Sequence, residues 1–397
     1  MMLPNGWKKV KLGDILTAVD YGTAAKSDAI GKYPVLRMGN LENGYLVWDD
    51  LVYSSSEDEY AKYELEKGDI LFNRTNSRDK VGKTSIYRGE RPSIFAGYLI
   101  RLKVNNECDP YYVNYCMNSK RFAEFCKSVR TDAIGQSNIN AQVLQTYDFS
   151  LPPIEEQKKI AATLSVWDSA IEKMEKLIDA KENHFNQLMN KLIVINSSNS
   201  KWNTFALKNV FEVVNRKNKN GNTNILTSSA QYGLVNQQEY YKKKIASSNT
   251  SGYYLLKKGD FAYNRSYSTG YPYGVVKRLD KYELGVLSTL YLCFSLKKEY
   301  QSYSDFFVFL FESGYLNNQL ALICREGARN HGLLNVSKED FFNMKVQLPN
   351  EKEQQSIVCI LHNHSLELSL LKQQLENYKK QKQGLMQKLL TGEWRVK

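Results

Sequence analysis

The chain has 397 residues, of which 42% are hydrophobic and 24% charged, and its formal net charge is +12. This composition is typical of a soluble globular protein with two or three domains and excludes extensive disorder. The N-terminus lacks the apolar core of a signal peptide, and no run approaches the ~18 apolar residues of a membrane span, so we expect a cytoplasmic protein. The six cysteines show no C-x-x-C pair and predict reduced, mostly buried thiols rather than a zinc site or a disulfide framework.

Residues 1–150 carry the patterns of a mixed globular domain. The runs "DILFNR" from Asp69 and "AGYLIRLKV" from Ala96 predict strands, and "DPYYVNYCMNSKRFAEFCKS" from Asp109 predicts helical structure. We therefore expect an α/β (mixed α+β) unit with an irregular sheet. The "DPYY" stretch resembles the D-P-P-Y loop of amino-methyltransferases, but its second proline is absent, so a turn that opens a helix is the preferred interpretation.

Residues 151–200 predict a long helix. In "LPPIEEQKKI", Leu151 to Ile160, the prolines suit a helix start, and Glu155 and Glu156 suit the positive end of the helix dipole. The residues that follow recur at alternating steps of four and three, a heptad seam that is polar only at Lys181 and favours a coiled coil. The other members of this seam are Ile160, Leu164, Trp167, Ile171, Met174, Ile178, Phe185, Leu188, Leu192 and Ile195.

The second half of the chain repeats the first in the same order. "KGDFAYNRSYS" from Lys258 echoes "KGDILFNRTNS" from Lys67, and "LPNEKEQQSI" from Leu348 repeats the helix start with Asn350 in place of Pro153. Residues 201–346 therefore predict a second globular domain, and residues 347–397 a second spacer helix. Its seam is Ile357, Leu361, His364, Leu368, Leu371, Leu375, Tyr378, Lys382, Leu385 and Leu389.

The two seams predict an antiparallel pairing about a pseudo-two-fold axis. In full overlap, seam residues whose numbers sum to about 549 should meet. This register would place Trp167 near Lys382 and Phe185 near His364, so that each polar seam residue contacts an aromatic ring from the other helix.

The basic charge is uneven and indicates a polyanionic partner. Residues 201–346 have a net charge of +9, whereas residues 1–150 have +1. The matched loops after "DILFNR" and "FAYNR" combine side chains that read bases with side chains that hold phosphates, and a second candidate surface follows in each half. The candidate DNA-binding residues are Arg74, Asn76, Ser77, Arg78, Lys80, Lys83, Gln136, Asn138, Arg265, Tyr267, Ser268, Tyr271, Arg325, Arg329 and Asn330.

Catalytic motifs are not recognisable. "VGKTS" from Val81 resembles the end of a phosphate-binding loop, but Ser77 stands where that motif needs a glycine, and the second half has "YGVVK" there. The pair His362 and His364 has a spacing that does not face one direction on a helix, which argues against a metal site. We predict a non-catalytic chain that holds no cofactor or metal.

The repeated "LPPIEEQKKIAATL" and "LPNEKEQQSIVCIL" starts, with the "LMNKLI" and "LMQKLLTG" ends, resemble the specificity subunit of type I restriction-modification enzymes. The resemblance implies two target-recognition domains, each reading half of a bipartite site on double-stranded DNA, and two antiparallel spacer helices. It also implies two methylation subunits that use S-adenosylmethionine, and restriction subunits that use ATP and Mg²⁺.

Two alternatives remain at this stage. The chain could be the recognition subunit of another multi-subunit DNA methyltransferase or nuclease, or a coiled-coil scaffold that binds no DNA. Salt-dependent DNA binding separates the second alternative from the others. The arginine- and asparagine-containing loops and the duplicated globular units favour a DNA-reading protein.

Overall fold

The computed structural model describes residues 3–78, 80–199, 202–229, 232–241, 250–266, 271–326 and 334–396. The chain divides into two compact units. Unit 1 comprises Met1–Glu175 and Gln373–Lys397, and unit 2 comprises Lys176–Lys372. Each unit therefore contains one globular part, the beginning of one long helix and the end of the other.

A four-stranded antiparallel sheet forms the centre of unit 1. Its order is Leu16–Tyr21, Leu99–Val104, Ile70–Asn73 and Thr84–Ile86, and Leu102 pairs with both Ile70 and Val19. One face packs into a core that includes Phe72 and Ile100, both fully buried. The predicted strands at "DILFNR" and "AGYLIRLKV" are confirmed, because alternating apolar residues bury this face.

Shorter strands and helices complete unit 1. The other strands are Lys8–Lys11, Tyr33–Leu36, Leu41–Glu42, Tyr45–Leu46, Val52–Ser54, Thr75–Asn76, Ile94–Phe95, Thr131–Ala133, Gln136–Asn138 and Asp148–Leu151. The short helices are Leu12–Ile15, Met38–Asn40, Glu57–Tyr63, Pro110–Cys116, Lys120–Val129 and Ala141–Leu144. Asp109 caps Pro110–Cys116 by accepting from the Tyr112 amide at 2.8 Å. "DPYY" is thus the turn that opens a helix.

Unit 2 is built in the same way. Its four-stranded antiparallel sheet has the order Phe211–Val213, Leu292–Leu296, Phe261–Asn264 and Val275–Arg278. Aromatic side chains dominate its core, with Phe211, Phe261 and Phe294 almost fully buried. The other strands are Asn203–Ala206, Leu226–Ser229, Gly233–Asn236, Tyr254–Lys257, Leu284–Leu287, Arg325–Glu326, Leu334–Asn335 and Lys345–Leu348. The short helices are Leu207–Val210, Gln237–Tyr241, Lys298–Tyr303, Ser304–Glu312, Asn317–Ile323 and Lys338–Asn343.

Both long helices begin where the repeated motif predicts. The first runs over Ile154–Met189 and continues through a π-helical turn at Asn190–Ile195 into Asn196–Asn199. The second runs over Glu351–Thr391. Asn350, which replaces Pro153, caps the second helix by accepting from the Glu353 amide at 3.0 Å. An asparagine at this position therefore starts the helix by capping where the first copy uses proline.

The repeated glutamine of this motif has a role that the sequence did not reveal. Gln157 is 1% exposed and donates to the Pro152 carbonyl at 2.8 Å, and Gln354 is 3% exposed and donates to the Pro349 carbonyl at 3.0 Å. Each glutamine ties the first turn of a long helix to the strand end before it.

Every predicted seam residue of the two helices is buried or half-buried except Ile195, which is exposed. Ile195 ends the π-helical turn Asn190–Ile195, where the wider turn no longer keeps heptad positions on one face.

Within unit 1, Glu175 and Lys379 form an ion pair at 2.8 Å, and within unit 2, Lys181 and Glu367 form one at 2.7 Å. Unit 1 also holds the pair Asp168 and Lys382, and in unit 2 the His184 ring faces the His364 ring. Within each unit one residue number rises as its partner's number falls, so the two helix segments run antiparallel. The register is close to the predicted sum.

The predicted seam partners were wrong in detail. Lys382 binds Asp168 rather than the Trp167 ring, because a carboxylate is within reach of its ammonium. Trp167 instead meets Tyr378, with ring centroids 6.1 Å apart. His364 faces His184 at 5.6 Å rather than Phe185. The heptad pattern predicts which face is buried but does not resolve which neighbour each long side chain chooses.

The cysteines are free thiols, as predicted. Four of them are buried: Cys108, Cys116, Cys126 and Cys293. Burial raises the pKa of the Cys116 thiol to about 12, which keeps it protonated. Within the described ranges, no group of three or more metal-binding side chains occurs, and no helix is long and apolar enough to cross a membrane.

Candidate nucleic-acid interface

The Asn-Arg pair that recurs in both halves ends an equivalent strand in each unit. Asn73 is the last residue of Ile70–Asn73, and Asn264 is the last residue of Phe261–Asn264. The arginine that follows accepts a backbone hydrogen bond in both units. Arg74 accepts from the Ile139 amide at 2.9 Å, and Arg265 accepts from the Leu334 amide at 2.8 Å. This bond brings the second candidate surface of each half next to the first.

In unit 1 the two candidate surfaces form one small sheet. Gln136–Asn138 pairs with Thr75–Asn76 on one side and with Thr131–Ala133 on the other. The Asn138 amide also donates to the Thr75 hydroxyl at 2.8 Å. We call this region the hairpin surface of unit 1, and its candidate residues are Arg74, Asn76, Ser77, Arg78, Lys80, Gln136 and Asn138.

The side chains of the hairpin surface differ in availability. Ser77, Arg78, Lys80 and Gln136 are exposed, and the remaining members are half-buried. Arg74 lies over the Tyr21 ring at 4.8 Å. Its buried Nε has no hydrogen-bond partner within the described ranges. The exposed members are chemically suited to phosphates and base edges.

An ion-pair cluster stiffens the hairpin. Asp132 accepts from the Ser137 hydroxyl at 2.5 Å and pairs with Arg78 at 2.9 Å and Arg130 at 3.2 Å. The Ser137 hydrogen bond, helped by both arginines, lowers the pKa of Asp132 below its usual value. Asp132 therefore stays charged and holds Arg78 and Arg130 against the hairpin.

Lys83 lies in a different setting from the other candidates. Its ammonium binds the Glu42 carboxylate. Thr84, the next residue of the phosphate-loop-like "VGKTS", begins the strand Thr84–Ile86 and is 1% exposed. A phosphate loop needs its lysine and threonine at a helix start. The structure therefore gives this stretch the role of a sheet strand.

In unit 2 the candidate Arg265 is engaged by the backbone. Its guanidinium donates to the Leu290 carbonyl at 2.8 and 3.0 Å and to the Val336 carbonyl at 3.3 Å. Tyr271 is half-buried, and this burial raises its pKa. The arrangement gives Arg265 a structural role, whereas Arg74, its counterpart, lies against a tyrosine ring.

The other candidates of unit 2 are described in part. Arg325 begins the short strand Arg325–Glu326, which pairs antiparallel with Leu334–Asn335. Unit 2 therefore also has a short strand pair beside its Asn-Arg strand end. The side chain of Arg325 lies outside the described part of the chain, as do Tyr267, Ser268, Arg329 and Asn330.

Three residues of the hairpin were missed from the sequence: Arg130, Asp132 and Ile134. The segment "RTDAIGQSN" contains one turn signal, Gly135, and no alternation of apolar and polar residues. Gly135 adopts a φ of +78°, a conformation that favours glycine. A turn glycine between two short polar runs is the one feature that could have revealed a hairpin here.

The junctions between the helices and the globular parts were also missed. In unit 1 the Trp7 indole donates to Glu156 at 3.1 Å, and Arg395 donates to the same carboxylate at 2.6 and 2.9 Å. In unit 2 the Trp202 indole donates to Glu353 at 3.1 Å. The tryptophan and the acidic residue recur in both halves. Their long sequence separation hides the contact.

Known proteins share this organisation. The family described as "Type I restriction modification DNA specificity domain" matches residues 4–183 and again residues 199–379. The protein named "Putative type I restriction enzyme MjaX specificity subunit" from Methanocaldococcus jannaschii is 27% identical over 425 residues, covering 100% of this chain and 95% of its own. The MjaVIII specificity subunit from the same organism is 23% identical, with coverages of 100% and 95%.

A solved structure shares the fold. The crystal structure of a type I restriction-modification S subunit from M. genitalium is similar with a TM-score of 0.58 and 16% identity, covering 98% of each chain. The family model matches once in each half, and the two matches together cover most of the chain. The chain belongs to the type I restriction-modification DNA specificity family and contains two copies of its domain.

Proposed function

We propose that this specificity subunit reads a bipartite site on double-stranded DNA. Each unit reads one half of the site, and the paired long helices set the distance between the halves. The observation that carries this proposal is that the backbone frame of the candidate surface occurs twice. In both units an Asn-Arg strand end is hydrogen-bonded beside a later pair of short antiparallel strands, through Ile139 and Arg74 in unit 1 and through Leu334 and Arg265 in unit 2.

The side chains around this shared frame support two different half-sites. Arg74 lies over an aromatic ring, whereas the Arg265 guanidinium is bound to carbonyls. The hairpin of unit 1 is Thr131–Asn138, and the matching segment of unit 2 is longer and carries arginines. Equal frames with unequal side chains are what two readers of different base sequences require.

The chemistry belongs to partner subunits in this proposal. Two methylation subunits bind S-adenosylmethionine and modify adenine, and restriction subunits use ATP and Mg²⁺. The present chain recognises the DNA sequence and holds none of these cofactors. A target adenine must leave the base stack to be methylated. In this proposal the reading units hold the duplex in position while a methylation subunit takes up that base.

The test is adenine-methylation mapping of a genome in cells that express the methylation subunits with and without this chain. We expect a bipartite motif, two short defined halves around a spacer of fixed length, that is modified only when the chain is present. Replacing the unit 2 globular part with that of a relative is the matched control. It should change one half of the motif and leave the other half intact. A motif that persists without the chain would refute the proposal.

A further inference from the structure

The tip of the unit 1 hairpin exposes an isoleucine completely. Ala133 pairs with Gln136, so Ile134 and Gly135 form the two-residue turn. The side chain of Ile134 is as exposed as in an extended peptide, with a relative accessibility of 106%. An aliphatic side chain at this position gains free energy only when a partner covers it.

The hairpin holds Ile134 in a defined place. One of its strands pairs with Thr75–Asn76, and Asp132 beside the turn bonds to Ser137, Arg78 and Arg130. The tip is therefore supported by three strands and an ion-pair cluster. Ile134 therefore points into solvent from the turn of a well-supported β-hairpin.

The surroundings of the tip fit duplex DNA. Four basic residues, Arg74, Arg78, Lys80 and Arg130, belong to the hairpin surface or its base. The two sequence segments that contain them, residues 74–80 and 130–138, include two acidic residues, Asp79 and Asp132. The net charge of these two segments is therefore positive. The major groove of DNA admits a two-stranded β-ribbon. The apolar group that it offers there is the C5-methyl of thymine.

We propose that Ile134 packs against the C5-methyl group of one thymine in the half-site read by unit 1. Ile134 is then a specificity-determining residue, because cytosine lacks that methyl group and presents a polar amine instead. This inference rests on the proposed function and deepens it by naming one base of the half-site and the atom that is read.

The test is a double-mutant cycle, in which the thymine methyl group is removed from the DNA and the Ile134 side chain is shortened in the protein, separately and together. The chain in complex with its methylation subunits is titrated with duplexes of the mapped site in which each thymine of the unit 1 half is replaced by deoxyuridine. At one position, deoxyuridine should weaken binding by the wild-type complex roughly fourfold, the value of one buried methyl group. In the Ile134→Ala complex, deoxyuridine at that position should not change the affinity. In the Ile134→Val complex, deoxyuridine should still weaken binding by most of the wild-type factor.

The outcomes separate this inference from the proposed function. If Ile134→Ala lowers affinity equally for thymine and uracil at every position, or if the unit 1 half contains no thymine, the thymine contact is wrong while the bipartite reading stands. If the complex shows no sequence-specific DNA binding, the proposed function itself fails. Equal thermal midpoints of the variants and the wild type exclude unfolding, and deoxyuridine in the unit 2 half is the matched DNA control.

Discussion

In unit 1 the Lys382 ammonium binds the Asp168 carboxylate. The Tyr115 hydroxyl donates to the other oxygen of Asp168 at 2.5 Å. The position one repeat before Lys382 is Phe185, whose ring packs edge-on against Phe309 in unit 2 at 6.4 Å. Lys382 and Phe185 therefore occupy corresponding positions of the two repeats, but the first belongs to a charged cluster in unit 1 and the second to an aromatic contact in unit 2.

Removing one partner of this cluster should destabilise unit 1. The Asp168 and Lys382 side chains are 10% and 18% exposed, so Asp168→Asn leaves a poorly solvated ammonium without its counterion. We expect a loss of about 3 kcal/mol in the free energy of unfolding, measured by urea denaturation. Replacing both residues with leucine should recover much of the loss.

The matched control for this prediction is Glu175→Gln. Glu175 pairs with Lys379 across the same helices, but the two side chains are 46% and 44% exposed. A change below about 1 kcal/mol is expected there. Equal losses in Asp168→Asn and Glu175→Gln would show that burial does not distinguish the two pairs.

The two repeated glutamines should differ in their contribution to stability. Gln157 donates to the Glu107 and Pro152 carbonyls and accepts from the Asp109 amide, at distances of 2.8 to 3.0 Å. The buried Oε1 of Gln354 has no hydrogen-bond partner within the described ranges. Alanine at 157 removes the side-chain partner of three backbone groups. Alanine at 354 removes the partner of one backbone carbonyl and at the same time removes a buried oxygen that has no hydrogen bond.

We therefore expect Gln157→Ala to reduce the free energy of unfolding by at least about 1 kcal/mol more than Gln354→Ala does. Urea denaturation followed by tryptophan fluorescence measures each unit separately when only one unit keeps its tryptophans. Replacing Trp202 with phenylalanine leaves tryptophans in unit 1 alone, and replacing Trp7, Trp48, Trp167 and Trp394 leaves Trp202 as the reporter of unit 2. A larger effect at Gln354 would contradict the assigned hydrogen bonds.

Glu156 should make the stability of unit 1 depend on acid pH. Arg395, with the Trp7 indole, lowers the pKa of Glu156 below its ordinary 4.5. A carboxylate whose pKa is lowered by folding contributes stability that is fully present above its unfolded pKa. That contribution is lost as the pH falls below 4.5 and through the lower folded value.

The wild-type chain should consequently lose more free energy of unfolding below pH 4.5 than Glu156→Gln does. Arg395→Gln should show most of the same reduced dependence, because Arg395 is the main cause of the lowered pKa. Urea denaturation at a series of pH values provides the measurement. Parallel pH profiles for the wild type and both variants would rule out this linkage.

The parts of the fold that were predicted are those with a periodic or repeated signal. The seam around Leu164 and Leu361 follows from heptad spacing, and the helix starts follow from the two proline motifs. The exact partners did not follow, because Lys382 reaches Asp168 outside the seam. The hairpin around Ile134 carries exposed polar strands, so it lacks the alternation by which a half-buried strand is recognised. Arg265 matched a base-reading pattern but donates to the Leu290 and Val336 carbonyls, which lie far from it in sequence.

Lys80 should contribute to DNA affinity without contributing to sequence preference. It is exposed on the hairpin surface, where a cation suits a phosphate. Lys80→Gln should weaken binding to specific and random duplexes alike, and should reduce the slope of log K against log salt by roughly 0.9. The control is Lys158→Gln on the first long helix, an exposed lysine paired with Glu155, which should leave the slope unchanged.

The central claim, that two reading units are held at a set distance by the long helices, is tested most directly by lengthening one helix. Four residues inserted after Glu175, at the boundary of the two units, add about 6 Å to the first long helix. Adenine-methylation mapping with this variant should return the same two half-sequences separated by a spacer one or two base pairs longer, since base pairs rise about 3.4 Å each. An unchanged spacer with active modification would contradict the account.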